Sequence, residues 1–203
     1  MTRPVIDQEE LQGGPELPQQ APGKMADSVV FSVPWFDIVS RTVDGATSPY
    51  YLLRTSDYVT VLAKTTDGSV LLVQQFRPVV GAETLELPSG HVEEGESPEV
   101  AARRELAEET GYEAQEFELL GTLAPDTGRL GNKLWCFYAQ NATLIRTPTD
   151  LEEGVRLVLY EFDNLLRDVA TGKIDHALHL GVLLLAAVKG RLVVGQRGIN
   201  LGR

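Results

Sequence analysis

Residues 90–112 read GHVEEGESPEVAARRELAEETGY, and this stretch predicts one helix with defined ends. Ser97 followed by Pro98 indicates the helix start, because a serine hydroxyl caps backbone N–H groups and proline suits the first helical position. Gly111 predicts the C-terminus, because glycine readily adopts the left-handed conformation that ends many helices. The segment between these signals is long enough for about three to four turns.

Three glutamates lie on one side of this predicted helix. Glu105 and Glu109 are one turn apart, and Glu108 lies on the same side. Like charges at this spacing repel each other and disfavour the helix slightly. A divalent cation held by oxygen ligands would compensate, and Ala101 and Ala102 leave room for it and for a substrate. The alternative, from the residues alone, is a solvated acidic helix face.

Composition limits the function classes. The chain has 203 residues and 43% hydrophobic content, which suits a globular protein of one domain, with two possible. The net charge of −11 argues against a nucleic-acid-binding surface, which needs clustered lysine and arginine. Cys136 is the sole cysteine, which excludes an intrachain disulfide and fits a reducing compartment. No signal peptide or membrane span is predicted, so we expect a cytoplasmic protein with no membrane partner.

The chain divides into three predicted parts. Residues 1–27 are rich in proline, glutamine and glycine and predict a disordered or loosely attached arm. Residues 28–56 predict a β subdomain, with a strand interrupted at Pro34, a turn at Asp44 and a return strand. Residues 57–203 form the main domain. Strands outnumber helices and are mostly joined by short turns, so the fold class is α+β.

The helix segment resembles the Nudix box, G-x5-E-x7-R-E-U-x-E-E-x-G-U, in which U is a bulky apolar residue. The matching residues are Gly90, Glu96, Arg104, Glu105, Leu106, Glu108, Glu109, Gly111 and Tyr112. The resemblance implies an α/β/α sandwich around a mixed sheet, with residues 57–203 as the Nudix catalytic domain.

The flanking segments resemble one branch of this family. QQFRP at 74–78 and ELPSG at 86–90 look like segments of ADP-ribose and nucleotide-sugar pyrophosphatases. Pro125 and the run GKIDHALHLGVLLLAA at 172–187 are similar to the same group. The N-terminal hairpin with Trp35 resembles that group's dimerisation subdomain. The resemblance therefore implies a homodimer in which the N-terminal strands of one subunit help to build the other subunit's site.

The resemblance also implies a metal site. Its expected ligands are the carboxylates of Glu105 and Glu109 and the backbone carbonyl of Ser89, with Glu108 as a shared ligand or a base. Mg²⁺ is the expected ion, because it takes few carboxylates and keeps several waters, and Mn²⁺ is expected to substitute. Glu96 and Arg104 are expected to form an ion pair that holds the loop after Gly90 against the helix and supports the ligands.

Four residues are candidates for substrate binding. Arg77 would clamp a phosphate through its guanidinium, and Glu86 would bind the ribose or the terminal sugar. Trp35 would stack on the nucleobase, and Arg129 would reach a phosphate from its loop. The structural alternatives are a surface arginine, a sheet-edge carboxylate, a core or dimer-interface aromatic residue, and a turn.

The general base is predicted in the acidic loop DLEEGV at 150–155. In ADP-ribose pyrophosphatases this loop often carries the base, so Glu153 is favoured and Glu152 comes next. The alternative is a solvated acidic loop, and Arg156 departs from the acidic residue expected there. His91, His176 and His179 are scattered in the sequence and predict no metal-ligand group.

The predicted reaction is Mg²⁺-dependent hydrolysis of the pyrophosphate bond of ADP-ribose, which releases a nucleoside monophosphate and a sugar phosphate. The first alternative is a nucleotide-sugar substrate such as GDP-mannose, ADP-glucose or UDP-glucose. An alternative of another class is a non-catalytic module that senses ADP-ribose, although such proteins tend to lose box glutamates. RNA decapping is disfavoured by the acidic charge balance.

Overall fold

A computed structural model describes residues 23–147 and 153–192 of the chain. Two β-sheets and three helices make up this part of the protein. In chain order the elements are β1 (Met25–Val33), β2 (Phe36–Val43), β3 (Tyr50–Arg54), β4 (Tyr58–Thr65), β5 (Val70–Arg77), β6 (Ala82–Glu86), β7 (Ser89–His91), α1 (Pro98–Thr110), β8 (Tyr112–Glu113), β9 (Phe117–Leu123), β10 (Leu134–Leu144), β11 (Val155–Tyr160), α2 (Phe162–Ala170) and α3 (Ala177–Val188).

The N-terminal sheet has three antiparallel strands in the order β1-β2-β3. The prediction of one strand interrupted at Pro34 was wrong, because the chain reverses there and Val33 pairs with Phe36. Proline favours such a turn, since its ring fixes φ and it lacks a backbone N–H donor. β1 begins at Met25, so the last residues of the predicted arm belong to this strand. Residues 1–22 of that arm lie outside the described residues.

The main sheet is mixed, as predicted. Its central order is β11-β5-β4-β10-β8, with β6 on β5, β7 on β4 and β9 on β10. β4 and β10 run parallel, whereas the other pairs are antiparallel. β4 lies at the centre and is buried along most of its length. This central strand pairs with β7, which contains Gly90, the first residue of the glutamate-rich segment.

Helices cover both faces of the main sheet. Successive side chains of a strand point to opposite faces, and β10 shows this alternation. Cys136 packs in the core that contains Val182 of α3, whereas Phe137 packs in the core that contains Leu106 of α1. The α/β/α arrangement implied by the family resemblance is therefore confirmed.

Helix α1 has the predicted ends. The Ser97 hydroxyl accepts a hydrogen bond from the Val100 N–H at 3.3 Å, and Pro98 is the first helical residue. Gly111 ends the helix with φ 74°, in the left-handed region. A Cβ at Gly111 would also lie 2.8 Å from the carbonyl oxygen of Arg146. Glycine is therefore required here both for its backbone conformation and for close packing.

Helix α3 contains the most apolar run of the chain. Its 12 residues include Val182, Leu183 and Ala186, which are buried against the main sheet. Within residues 23–147 and 153–192, no helix combines the length and the apolar character needed to cross a membrane. The cytoplasmic location stays a prediction.

Candidate active site

One pocket lies between α1, β7, the β5–β6 hairpin and the start of α3, with a volume of about 580 Å³. It brings together seven of the site residues predicted from the sequence. These are Arg77, Glu86, Ser89, Gly90, Arg104, Glu105 and Glu109. The N-terminal end of α3 adds His176, Leu178 and His179 to the lining.

The acidic side of α1 faces strand β7. Glu105 is 8% exposed and Glu109 is 5% exposed, although both are carboxylates. The Ser89 N–H donates to Oε2 of Glu109 at 2.9 Å. A Cβ at Gly90 would collide with the Glu105 carboxylate, so only glycine leaves room for that side chain. Burying two carboxylates is costly unless positive charge lies nearby, and their oxygens are the ligand type that Mg²⁺ prefers. This donor set therefore fits a bound divalent cation.

Arg104 supplies positive charge to this helix face. Its guanidinium donates to both oxygens of Glu96 at 3.1 Å, to Glu105 at 2.7 Å, to Glu108 at 3.1 Å and to the His91 carbonyl at 2.9 Å. The bond with Glu96 is the largest influence and raises the pKa of Arg104, while the same bond lowers the pKa of Glu96. The predicted ion pair between Glu96 and Arg104 is confirmed, and it joins the loop to the helix.

Glu108 occupies a different position from the other two box-helix glutamates. It is half-exposed and does not line the pocket, and its carboxylate pairs with Arg104 one turn earlier. The structure thus brings Glu105 and Glu109 together in the pocket, whereas Glu108 lies outside the pocket.

Arg77 and Glu86 are held together on the β5–β6 hairpin. The guanidinium donates from Nε and Nη2 to the two oxygens of Glu86, at 2.8 and 2.7 Å, and the Thr84 hydroxyl adds a bond at 2.6 Å. Burial alone would raise the pKa of Glu86, but these bonds outweigh it and lower the pKa to about 2. Glu86 is 3% exposed, whereas the Arg77 side chain is half-exposed. The carboxylate therefore anchors the arginine at the pocket wall.

His179 of α3 is a site residue that the sequence did not reveal. Its side chain is 2% exposed, and its Nδ1 accepts a hydrogen bond from the Leu87 N–H at 3.2 Å. Nε2 lies 3.3 Å from the Ser89 hydroxyl oxygen. Burial is the main cause that lowers the pKa of His179 to about 3, so the ring is neutral near pH 7.

The expectation that the histidines are scattered was wrong for two of them. His176 and His179 stack with ring centroids 4.0 Å apart, and ligand atoms of Glu86, His176 and His179 lie within 4.8 Å of one another. Hydrogen bonds already engage Glu86 and both ring nitrogens of His179. The sequence DHALH carried the signal, because it places two histidines only three residues apart, with His176 at the N-cap of α3 and His179 in its first turn.

Two predicted substrate-binding residues lie outside the pocket of the single chain. Trp35 is 72% exposed in the turn between β1 and β2, where its carbonyl accepts a bond from the Thr55 hydroxyl. Arg129 is exposed and pairs with Asp126 at 3.3 Å. The backbone carbonyl of Arg129 accepts a hydrogen bond from Leu53, so its loop contacts the N-terminal sheet.

The favoured general base, Glu153, lies just before the first residue of β11. Glu153 is exposed and precedes this strand by two residues, and the first strand residue, Val155, pairs with Gln75 in the pocket lining. Glu153 itself does not line the pocket. Glu152 lies outside the described residues.

Several known proteins are similar to this chain in sequence or in fold. A family model for the NUDIX domain matches residues 54–177. The chain is 31% identical to the methanol dehydrogenase activator of Bacillus methanolicus over 133 residues, which cover 64% of this chain and 72% of that protein. It is 30% identical to the ADP-ribose pyrophosphatase of Bacillus subtilis over 132 residues, which cover 64% and 71%. The mouse ADP-sugar pyrophosphatase is 52% identical over a shorter stretch of 59 residues, which covers 29% of this chain and 27% of that protein.

A solved structure described as an ADP compounds hydrolase has the same fold. It superposes with a TM-score of 0.69 at 20% identity and covers 85% of this chain and 98% of that one. The family match covers more than half of the chain, from the end of β3 to the start of α3. The protein belongs to the Nudix family.

Proposed function

We propose that this protein hydrolyses the pyrophosphate bond of ADP-ribose with the help of a divalent cation, and releases AMP and ribose 5-phosphate. The observation that carries the proposal is the pocket in which buried Glu105 and Glu109 lie with the anchored Arg77. The name of the Bacillus subtilis relative supports the choice of ADP-ribose as substrate.

The cation would be Mg²⁺, with Mn²⁺ able to substitute, and it would be held by Glu105, Glu109 and the carbonyl of Ser89. When bound, such an ion offsets the substrate's negative charge and lowers the pKa of a bound water. Arg104 donates to Glu105 and so fixes the direction of one proposed ligand. Gly90 leaves the space that the Glu105 carboxylate occupies.

Arg77 would bind the pyrophosphate oxygens. A protein of net charge −11 repels an anionic substrate, so the pocket needs local positive charge. Glu86 fixes the guanidinium through two bonds, which reduces the entropy lost when a phosphate binds. In this proposal Glu86 contributes by orienting Arg77, and contact with the ribose or sugar is its second role.

Glu153 is the proposed general base, which would accept the proton of the attacking water. The support is its place two residues before β11, whose end pairs with the pocket strand β5. Glu152 and Glu108 are the alternatives.

Glu153→Gln should lower kcat by about 10²-fold, within the usual range for a lost base. If Glu108→Gln causes that loss and Glu153→Gln does not, the assignment moves to Glu108.

We also propose a homodimer formed through the N-terminal sheet. Large apolar side chains are exposed there, including Val29, Phe31 and Trp35, and such patches mark interaction surfaces. In the dimer, Trp35 would stack on the nucleobase in the partner's pocket, and Arg129 would contact a phosphate.

Light scattering should give the mass of a dimer. Deletion of residues 1–55 should give an inactive or insoluble protein, and an active monomer would contradict this proposal.

A nucleotide sugar is the second candidate substrate. The mouse relative named ADP-sugar pyrophosphatase is 52% identical over 59 residues, which favours a nucleoside diphosphate linked to some sugar.

A substrate panel tests both candidates. ADP-ribose, ADP-glucose, UDP-glucose and GDP-mannose should be incubated with the protein and Mg²⁺, and the released monophosphate measured. ADP-ribose should give the highest kcat/KM, and chelation of the metal should abolish turnover. Faster turnover of a nucleotide sugar would select the second candidate, and no turnover of any compound would contradict both.

A further inference from the structure

We infer that His179 is a positioning residue, which fixes the backbone of residues 87–89 from helix α3 and thereby sets the metal affinity of the site on α1. The inference rests on the proposed function, in which the Ser89 carbonyl is a metal ligand. His179 itself contacts neither the proposed metal ligand atoms nor a reacting group in this account.

The contacts of His179 form a closed ring of three hydrogen bonds. The Leu87 N–H donates to Nδ1 at 3.2 Å, so the neutral ring carries its proton on Nε2. Nε2 then donates to the Ser89 hydroxyl oxygen at 3.3 Å, and this hydroxyl donates to the Leu87 carbonyl at 2.7 Å. Each donor in the ring has an acceptor, so the ring fixes both ends of residues 87–89.

Two further hydrogen bonds hold this segment. The Pro88 carbonyl accepts a bond from the Val61 N–H at 2.9 Å, and the Ser89 N–H donates to Glu109. These bonds attach the segment to β4 and to α1. His179 is the attachment to α3, so the direction of the Ser89 carbonyl depends on all three elements.

Loss of the imidazole would leave a buried donor without a partner. Leu87 is 2% exposed, so water has little access to its backbone N–H. An unsatisfied buried donor is costly, and the backbone is expected to shift to recover a bond. A shift at Leu87 moves Ser89, because the two residues share the hydroxyl bond.

Helix α3 is a firm support for this contact. His179 lies in its first turn, and Val182 and Leu183, on the next turn, are buried in the core against the sheet. His176 stacks on the His179 ring and restricts its rotation. The ring is therefore held in one orientation before any ligand binds.

The test is Mn²⁺ affinity, measured by electron paramagnetic resonance on the full chain without substrate. His179→Leu keeps a side chain of similar size but forms none of the ring bonds. We expect its Kd for Mn²⁺ to rise about 10-fold, at the lower end of the effect of residues that orient metal ligands. Leu183→Ala is the matched control, because it loses packing on the same helix and keeps every hydrogen bond of the ring. It should lower Tm and leave the Kd unchanged.

Ser89→Ala provides a second measurement that does not depend on the folding of His179→Leu. It removes the hydroxyl from the ring and keeps the backbone carbonyl, so its Kd should rise about 3-fold, because the ring loses the hydrogen bonds of this hydroxyl. In the His179→Leu background it should add little, because the ring is already broken.

A wild-type Kd in both His179→Leu and Ser89→Ala overturns the inference and leaves the proposed function intact. If His179→Leu does not fold, the Kd of Ser89→Ala decides alone. Absence of Mn²⁺ binding by the wild-type protein would instead contradict the proposed function, and the inference with it.

Discussion

Helices α1 and α3 face the same pocket with opposite chemistry. α1 places two buried carboxylates beside β7, whereas α3 is an apolar helix with the buried, neutral His179 in its first turn. The Glu105 carboxylate of α1 contacts residues that are near in the sequence, since it accepts a bond from Arg104 and fills the space beside Gly90. His179 of α3 acts on a backbone segment 92 residues away in the sequence. In our proposal α1 would hold the cation and α3 would fix the geometry around it.

The largest expected effect is on the α1 side. Glu109→Gln removes one negative charge from the proposed ligand set, and metal assistance is worth several kcal/mol. The value of kcat/KM for ADP-ribose should fall by about 10²–10³-fold. Glu99→Gln on the exposed side of the same helix is the control, since Glu99 pairs only weakly with Arg103 at the surface. Equal activity of the two variants would contradict the proposal that Glu109 binds the cation and that the exposed side of α1 has no catalytic role.

Two glycines at the ends of the box separate a site effect from a packing effect. Gly90→Ala would place a methyl group on the Glu105 carboxylate, and Gly111→Ala would place one against the Arg146 carbonyl in a left-handed conformation. Each should lower the free energy of unfolding by about 1–3 kcal/mol, as overpacking does. Only Gly90→Ala should also weaken Mn²⁺ binding, by about 10-fold or more. Similar Mn²⁺ affinities in both variants would show that the contact of Gly90 with Glu105 is structural alone.

His179 of α3 should make the free energy of unfolding depend on pH. The folded pKa of His179 is about 3, below the ordinary value of 6.5. His179 therefore binds a proton more readily in the unfolded chain than in the folded one. Its contribution to the free energy of unfolding is complete above pH 6.5 and is lost as the pH falls towards 3. From pH 6.5 to 5 the wild type should lose roughly 2 kcal/mol through this residue.

His179→Leu should lack that loss, and the free energy of unfolding from urea titrations at each pH measures it. His91, whose pKa is also lowered by burial, contributes equally in both proteins. Parallel pH profiles for the two proteins would mean that His179 is not held neutral by the fold.

The smallest expected effect concerns Arg77, the proposed phosphate-binding residue of the pocket. Arg77→Lys keeps the charge but loses the two-bond contact with Glu86, because an ammonium group has no planar fork. KM for ADP-ribose should rise about 5–10-fold with little change in kcat. Arg156→Lys on β11, which alters an exposed pair with Glu83, is the control. A loss of kcat in Arg77→Lys would assign the arginine a role in the chemical step.

The sequence predicted what short-range spacing determines. The ends of α1 at Ser97 and Gly111 depend on capping within one turn, and Glu105 and Glu109 share a face because of helical periodicity. The pair of Glu96 and Arg104 also lies within the box. The sequence did not predict the chain reversal at Pro34, because a proline between two apolar runs fits either a bent strand or a turn.

The contacts of the pocket wall depend on tertiary structure. Arg77 and Glu86 were each identified as substrate-binding candidates, but their mutual pairing follows from the register of β5 with β6. His179 was not identified because its partners, Leu87 and Ser89, lie far away along the chain. The short spacing between His176 and His179 was visible, but nothing in the sequence placed the start of α3 in the pocket.

The most direct test of the central claim is a crystal structure with Mg²⁺ and a non-hydrolysable analogue of ADP-ribose. We expect a metal ion on Glu105, Glu109 and the carbonyl of Ser89, with a phosphate oxygen near Arg77. A metal ion bound instead by Glu86, His176 and His179, with the α1 carboxylates left without one, would contradict it.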